Sequence, residues 1–359
     1  MLFYLSNELL SDQLTVEKEE KVLRAIENIL RSVWESKHLV KIDYDLIDVL
    51  LEKTTNNDCR SVLLLIKNTY AFLSYVKIKY YVKVVEEGII MNIDNLNGFK
   101  ILNLSIDLFQ TTDLIQESRI LCEDLSDASF FQKISEHYIK ENSIGNISLK
   151  FEPIHGGGVL ICVQFQKHIN SMNKFCLAFC DNDVRYPGST IGSTLQNLQH
   201  VNRNGNLLCD YIEIDAHEIE NLVPFNYIDC IRQNEHNLDG IIFLKSIFNS
   251  AKKEDLKYFD IKKGICKSKI IGDQNYRSYA ISLQPYCRNQ ISEHSLEGLA
   301  GDPQIVPNIG KIIKPFLDNL DLLTNTPPEL LEYQRNEWDR IGSNFFYWTC
   351  SRNHEPINI

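Results

Sequence analysis

Residues Phe175-Cys-Leu-Ala-Phe-Cys180 form an uninterrupted apolar run, and the next three residues are Asp181-Asn-Asp183. Six residues are too few for a buried helix and too uniformly apolar for a strand with one wet face. The run predicts a strand covered on both sides, as in parallel sheets flanked by helices. Neighbouring segments repeat the pattern: Arg119 to Cys122, Ile147 to Ile154 and Leu207 to Ile214 read as strands, with helices predicted over Asp127 to Lys140 and Val159 to Ile169. This alternation with short connections predicts an α/β fold with a mainly parallel sheet.

The flanks read as helical. Val22, Leu23, Ile26, Ile29, Leu30, Val33 and Trp34 recur at helical spacing within an amphipathic stretch from Leu14 to about Leu51, and further helices are expected over Tyr44 to Leu51 and Arg60 to Phe72. Tyr70 to Met91, where the two periodicities compete, is assigned to helix, and Asn92 to Asn97 to a turn. From Glu235 the patterns are again helical, through Glu329 to Cys350. The expected organisation is a helical N-terminal domain (1–116), an α/β core (117–230) and a mainly helical C-terminal region (231–359).

Composition narrows the function. With 37 Lys+Arg against 48 Asp+Glu, the net charge of −11 disfavours a broad non-specific grip on nucleic acid. The ten cysteines include no Cys-x-x-Cys and many sit in apolar runs, as buried free thiols of a reducing compartment do. No signal peptide and no run approaching 18 uncharged apolar residues is evident, so a cytoplasmic protein without membrane contact is expected.

The residues after each predicted strand carry the chemistry. They are Glu123-Asp-Leu-Ser-Asp127, His155-Gly-Gly-Gly158, Asp181-Asn-Asp183 and Asp215-Ala-His-Glu218-Ile-Glu220. Ligands of open α/β sheets collect at the carboxyl ends of the strands. Clustered carboxylates there suit one or two hard Mg²⁺ or Mn²⁺ ions, and two such ions stabilise the attacking and leaving oxygens of a phosphodiester displacement. Acid-x-acid pairs also arise from composition, Asp43-Tyr-Asp45 being one, so it is the position after an apolar strand that gives Asp181 and Asp183 weight. Gly156 to Gly158 lack the Lys and Ser/Thr of a nucleotide-binding phosphate loop, which disfavours an ATPase. Seven lysines between Lys252 and Lys269, among them Lys252, Lys253, Lys257, Lys262 and Lys263, read either as a solvated face or as a surface that guides nucleic acid, with Arg185 placed to orient a phosphate. His155 and His217 are the histidines nearest the expected site.

The order of these motifs resembles a Toprim domain, the fold shared by topoisomerases, bacterial primases and OLD-family nucleases. Arg119-Ile-Leu-Cys-Glu123-Asp-Leu-Ser-Asp127 resembles its first motif, Ile154-His-Gly-Gly-Gly158 its glycine turn, and Leu177-Ala-Phe-Cys-Asp181-Asn-Asp183 its Asp-x-Asp motif. His217-Glu-Ile-Glu220-Asn221-Leu222 is similar to the Glu-Asn element of Toprim nucleases in PARIS-type and OLD-like phage defence. The resemblance implies that Glu123 ligates metal or acts in acid/base catalysis, that Asp181 and Asp183 hold Mg²⁺, and that Asp127 serves a second ion, with Glu218 or Glu220 completing the set. Asp124 stands where the family has Gly, and no catalytic tyrosine context speaks for a topoisomerase. The function so implied is a metal-dependent endonuclease of DNA or RNA, acting as the toxic effector of an anti-phage system. The alternatives are an RNA-processing ribonuclease or primase-like enzyme, and a non-catalytic scaffold subunit of a partner ATPase. Nucleic acid is the expected substrate, and a partner ATPase and homo-oligomerisation are compatible with it.

Overall fold

The computed structural model describes residues 1–10, 14–70, 78–89, 91–145, 147–203, 205–232, 238–291, 296–320 and 326–353. The N-terminal portion contains β1 (Leu2–Leu5), α1 (Val16–Trp34), β2 (Leu39–Ile42), α2 (Tyr44–Lys53), α3 (Asn57–Thr69), β3 (Tyr80–Val85), β4 (Asn92–Leu96) and β5 (Phe99–Ser105). Its strands form one sheet in the order β2-β1-β3-β5-β4, parallel except for the edge strand β4.

The expected helical N-terminal domain is thereby corrected to α/β. The helices exist: Thr15 caps α1, which buries Val22, Ala25, Ile26, Ile29, Leu30 and Val33 along one face. The strands escape a periodicity reading because β1 and β2 are four-residue segments, too short to show a period. In β3, assigned to helix from sequence, Tyr80, Val82 and Val84 point into the core at period two, and residues 71–77 of that segment lie outside the described residues. The expected turn over Asn92 to Asn97 contracts to Asn97-Gly98, both at positive φ, which closes a β4–β5 hairpin.

The second half of the architecture is β6 (Ser118–Cys122), α4 (Leu125–Glu141), β7 (Ile147–Leu149), β8 (Phe151–His155), α5 (Ile161–Ser171), β9 (Cys176–Asp181), α6 (Ser193–Gln199) and β10 (Cys209–Ile214). Strands β10-β9-β6-β8 form a fully parallel sheet in that order. The single strand expected over Ile147 to Ile154 is two: β7 leaves the sheet to pair with β13 (Cys350–Arg352) at the far end of the chain.

The apolar run of β9 divides as its covering demands. Cys176, Ala178 and Cys180 join Leu121, Ile161, Phe165, Leu195 and Leu198 under α5 and α6, whereas Leu177 and Phe179 face the opposite layer with Ile120 of β6 and Phe131 and Ile134 of α4. Phe131 stacks on Phe179 with ring centroids 4.4 Å apart. Burying such side chains contributes roughly 1.5–3 kcal/mol each.

The remaining elements are α7 (Phe225–Arg232), α8 (Leu238–Phe248), β11 (Ile265–Cys266), α9 (Lys267–Ile270), α10 (Gln274–Leu283), β12 (Gln304–Val306), α11 (Ile313–Asp318) and α12 (Glu332–Thr349). Residues 233–237, at the start of the expected C-terminal helices, lie outside the described residues. Helix α12 packs along α4 at Gly342, where an added Cβ would stand 2.8 Å from Tyr138 Cβ. Its Trp348 touches Tyr80 of the first sheet and Phe175 before β9, so one apolar core runs through both sheets. Among the described residues no helix is long and apolar enough to cross a membrane.

Candidate metal centre

Four parallel strands deliver their carboxyl ends to one edge. Leu121 of β6 lies opposite Ala178 of β9, Asp181 opposite Ile214 of β10, and Cys122 opposite His155 of β8. Glu123, Asp181, Asp215 and Gly156 therefore emerge side by side.

The glycine turn is explained by close backbone approach. Gly156 N donates to Cys122 O at 2.6 Å, and a Cβ on Gly156 would sit 2.7 Å from that oxygen. Gly157 and Gly158 hold positive φ, and Gly157 N donates to Glu123 O. The turn leaves the exposed Glu123 carboxylate facing Gly158, whose Cβ position is 3.5 Å from Glu123 Oε1.

Asp124 is the N-cap of α4: its carboxylate accepts from Ser126 N and Oγ, while Asp127 accepts from Asp124 N at 2.9 Å. Asp127 is thus fixed by a reciprocal capping box with its carboxylate turned toward the strand ends.

The loop after β9 is tightly held. Buried Asn182 accepts from Val184 N through Oδ1 and from Gly192 N through its carbonyl. Asp183 adopts φ +54°, and its N donates to His217 O at 3.0 Å. Gly192 closes against it: an added Cβ would fall 2.2 Å from Asp183 Oδ2 and 2.6 Å from its Cβ. An alanine there cannot coexist with the Asp183 side chain as placed.

After β10 the chain enters a turn in which Glu218 N donates to the Asn221 side chain, and Asn221 Nδ2 in turn donates to the Leu256 and Phe259 carbonyls. That clamp brings residues 256–262 beneath the strand ends. Lys262 Nζ then lies 2.9 Å from Glu220 Oε2 and 3.3 Å from Glu218 Oε2, and Lys262 N donates to Glu218 Oε1.

The electrostatics show an acid cluster with too little positive charge. Burial pushes Asp127 up to about 7, with the Glu220 charge adding to it against the Asp124 N–H. Burial together with Glu218 carries Glu220 to about 7. Asp181 is raised well above the carboxylate range by burial, with Glu220, Glu218 and Asp127 acting against Lys262. Asp183 is raised by burial and by Glu123, with His217 opposing, and burial likewise raises Glu218. Burial works against the Lys262 ammonium, but the summed attraction of Glu218, Glu220 and Asp181 holds its pKa above the usual lysine value. Asp181 keeps partial solvent access, so the cluster is desolvated but reachable from outside.

The structure therefore gathers Asp127, Asp181, Glu218 and Glu220 around Lys262, with Asp183 and Glu123 adjoining. Lys262, expected on a nucleic-acid surface, is instead the counter-charge of this cluster. The basic island is largely neutralised: Lys252 pairs with Asp255, Lys257 with Asp215 and Lys269 with Asp260. Lys253, Lys263 and Arg185 are exposed. His155 is exposed, and His217 is buried, its pKa lowered by burial against the pull of Asp260 and Asp183. His217 Nδ1 has no hydrogen-bond partner, and His217, Glu218 and Asp260 bring ligand atoms within 4.8 Å of one another. Asp260 is the contribution not visible beforehand, and the clamp made by Asn221 depends on carbonyls more than thirty residues away.

Comparison with protein-family models, with curated proteins and with solved structures finds no match to this chain.

Proposed function

We propose that this chain is a metal-dependent nuclease of Toprim type, cleaving phosphodiester bonds of DNA or RNA. The observation that carries the reading is the acid cluster at the carboxyl edge of a parallel sheet, with several carboxyl pKa values raised and a single lysine as internal counter-charge. Such a cluster is stabilised by added positive charge, and its donor set is all hard oxygen, the chemistry that selects Mg²⁺ or Mn²⁺. In this reading Asp127, Asp181, Asp183 and Glu220, with Glu123 at the open side, would have to draw together around one or two such ions, because among the described residues the group whose ligand atoms already lie within 4.8 Å of one another is His217, Glu218 and Asp260. A divalent ion bound there would polarise the phosphoryl oxygens and favour ionisation of an attacking water.

The chain's own groups divide the remaining work. In this reading Glu123, exposed beside the glycine turn, accepts the proton of the nucleophile. Glu218 accepts from the Lys262 backbone and, with Glu220, pairs with its ammonium, so an ion taking Glu220 as a ligand would compete with Lys262 for it. Arg185, two residues beyond Asp183 and exposed, would contact the phosphate backbone in this reading. The role as toxic effector of an anti-phage system, with a partner ATPase, rests on the motif resemblance alone.

Lys262 favours one competing reading. An ammonium that already neutralises part of the cluster suits a purely structural site in a scaffold subunit. Cleavage of plasmid DNA and total RNA by the purified chain in Mg²⁺, Mn²⁺ or EDTA separates the two, with Glu123→Ala and Asp183→Ala run alongside. Metal-dependent cutting abolished in both variants supports the nuclease. No cutting in either metal, with folded variants, supports the scaffold.

A further inference from the structure

A cavity of about 490 Å³ is lined by Tyr186, Lys252, Asn275, Ser278, Tyr279 and Ser282 among others. That is within the roughly 300–1,000 Å³ typical of pockets for small organic groups. Its position is set by the loop that carries the acids: Tyr186 follows Asp183 by three residues, so their Cα atoms are at most about 11 Å apart. Arg185, between them, is exposed.

The aromatic side of the cavity is pre-arranged. Tyr186 stacks on Tyr276 at 5.8 Å and 26°, and Tyr276 stacks on Tyr279 at 6.3 Å and 12°. Tyr276 and Tyr279 are buried, while Tyr186 is partly open, so the stack ends in a supported ring at the cavity wall. Hydrogen bonds from Tyr186 Oη to Asp273 and from Tyr279 Oη to the Asp255 carbonyl fix the ring positions, which lowers the ordering cost of binding. Beside the rings, Asn275 and Ser278, both exposed on α10, offer hydrogen-bonding edges, and at the rim Lys252 is paired with Asp255.

A half-open tyrosine ring with amide and hydroxyl edges, one or two nucleotides' length from the proposed phosphodiester site, suits a nucleobase. We infer that this cavity holds an unpaired nucleobase of the substrate strand next to the bond that is cut. The inference rests on the nuclease reading and adds a substrate class to it: a strand with an accessible base, whether a single strand, a loop or an end. A base inside a duplex cannot enter a cleft without being flipped out, so duplex is the disfavoured form.

Binding without chemistry tests this. Fluorescence anisotropy in EDTA compares labelled single-stranded DNA and RNA of about 12 nucleotides with an abasic strand of equal length and with duplex. The expected result is roughly 10- to 100-fold tighter binding of the base-bearing strands than of abasic or duplex forms. Tyr186→Ala reduces affinity to the abasic level, and Tyr186→Phe retains it. Ser278→Leu, at an exposed position, fills the cavity without removing a packed ring and lowers affinity for base-bearing strands only. Equal affinity for abasic and base-bearing strands, absence of binding, or indifference to both Tyr186→Ala and Ser278→Leu overturns the inference. Cleavage in Mg²⁺ without base preference would leave the nuclease standing and remove the pocket; base preference without cleavage would do the reverse.

Discussion

Substituting Asp127→Asn makes the strain of the acid cluster measurable. The Asp127 carboxyl is raised from 3.8 to about 7, chiefly by burial and then by the Glu220 charge. A carboxyl raised in the folded state retains its proton where the unfolded chain has lost it. Its relative stabilisation is complete below about pH 4 and is lost as pH rises through about 7. At about pH 5 the folded carboxyl keeps the proton that the unfolded one has lost, a cost of roughly 1.7 kcal/mol; at about pH 8 both are ionised, and the cumulative cost reaches roughly 4 kcal/mol. Asparagine has no such titration, and its side-chain oxygen can still accept the Asp124 N–H that closes the capping box. The stability difference between variant and wild type should therefore move in the variant's favour by about 3 kcal/mol between pH 5 and pH 8. Any constant effect of the amide cancels in that comparison. Relief of Glu220, which shares the cluster, adds with the same sign. Urea unfolding of both proteins in EDTA at the two pH values measures it. A difference independent of pH, or one favouring the variant more at pH 5, would refute the desolvated-cluster argument.

Other outcomes follow from the same geometry. Lys262→Met removes the counter-charge of Glu218 and Glu220, and should cost about 3 kcal/mol in urea unfolding at neutral pH, with part of the loss recovered in Mg²⁺ or Mn²⁺; a variant as stable as wild type would show that the pair contributes nothing. Gly192→Ala should abolish metal-dependent cleavage while leaving the circular dichroism spectrum intact, because the new Cβ displaces Asp183; wild-type activity would mean that Asp183 is not held where it acts. Gly342→Ala should lower stability by about 1–3 kcal/mol in thermal or urea unfolding, through the Tyr138 clash between α12 and α4, without changing relative activity. Titration of the wild-type chain with Mn²⁺ at pH 8 should raise the melting temperature more than at pH 5, where protons compete for Asp127 and Glu220.

The parallel sheet was legible because burial on both faces leaves a local mark. The run Phe175 to Cys180 is apolar at every position, since Cys176, Ala178 and Cys180 serve one layer and Leu177 and Phe179 the other. The acids after Glu123 and Asp181 were legible for a related reason: charge directly after a buried strand has to sit at the sheet's edge. The first sheet was not. In β1 and β2 four residues carry no period, and β3 alternates within a segment whose Tyr, Val and Ile also suit a helix.

Sequence alone determined the α/β core, its strand ends and the carboxylates that meet there, because each depends on residues adjacent in the chain. Only the tertiary structure decided what those carboxylates face. Lys262 lies more than forty residues from Glu218 and Glu220, in a lysine-rich stretch that looks solvated when read as a string, and it reaches them because Asn221 clamps the Leu256 and Phe259 carbonyls. Charge pairing depends on distance in space, and here desolvation sets its strength. Spacing along the chain encodes neither.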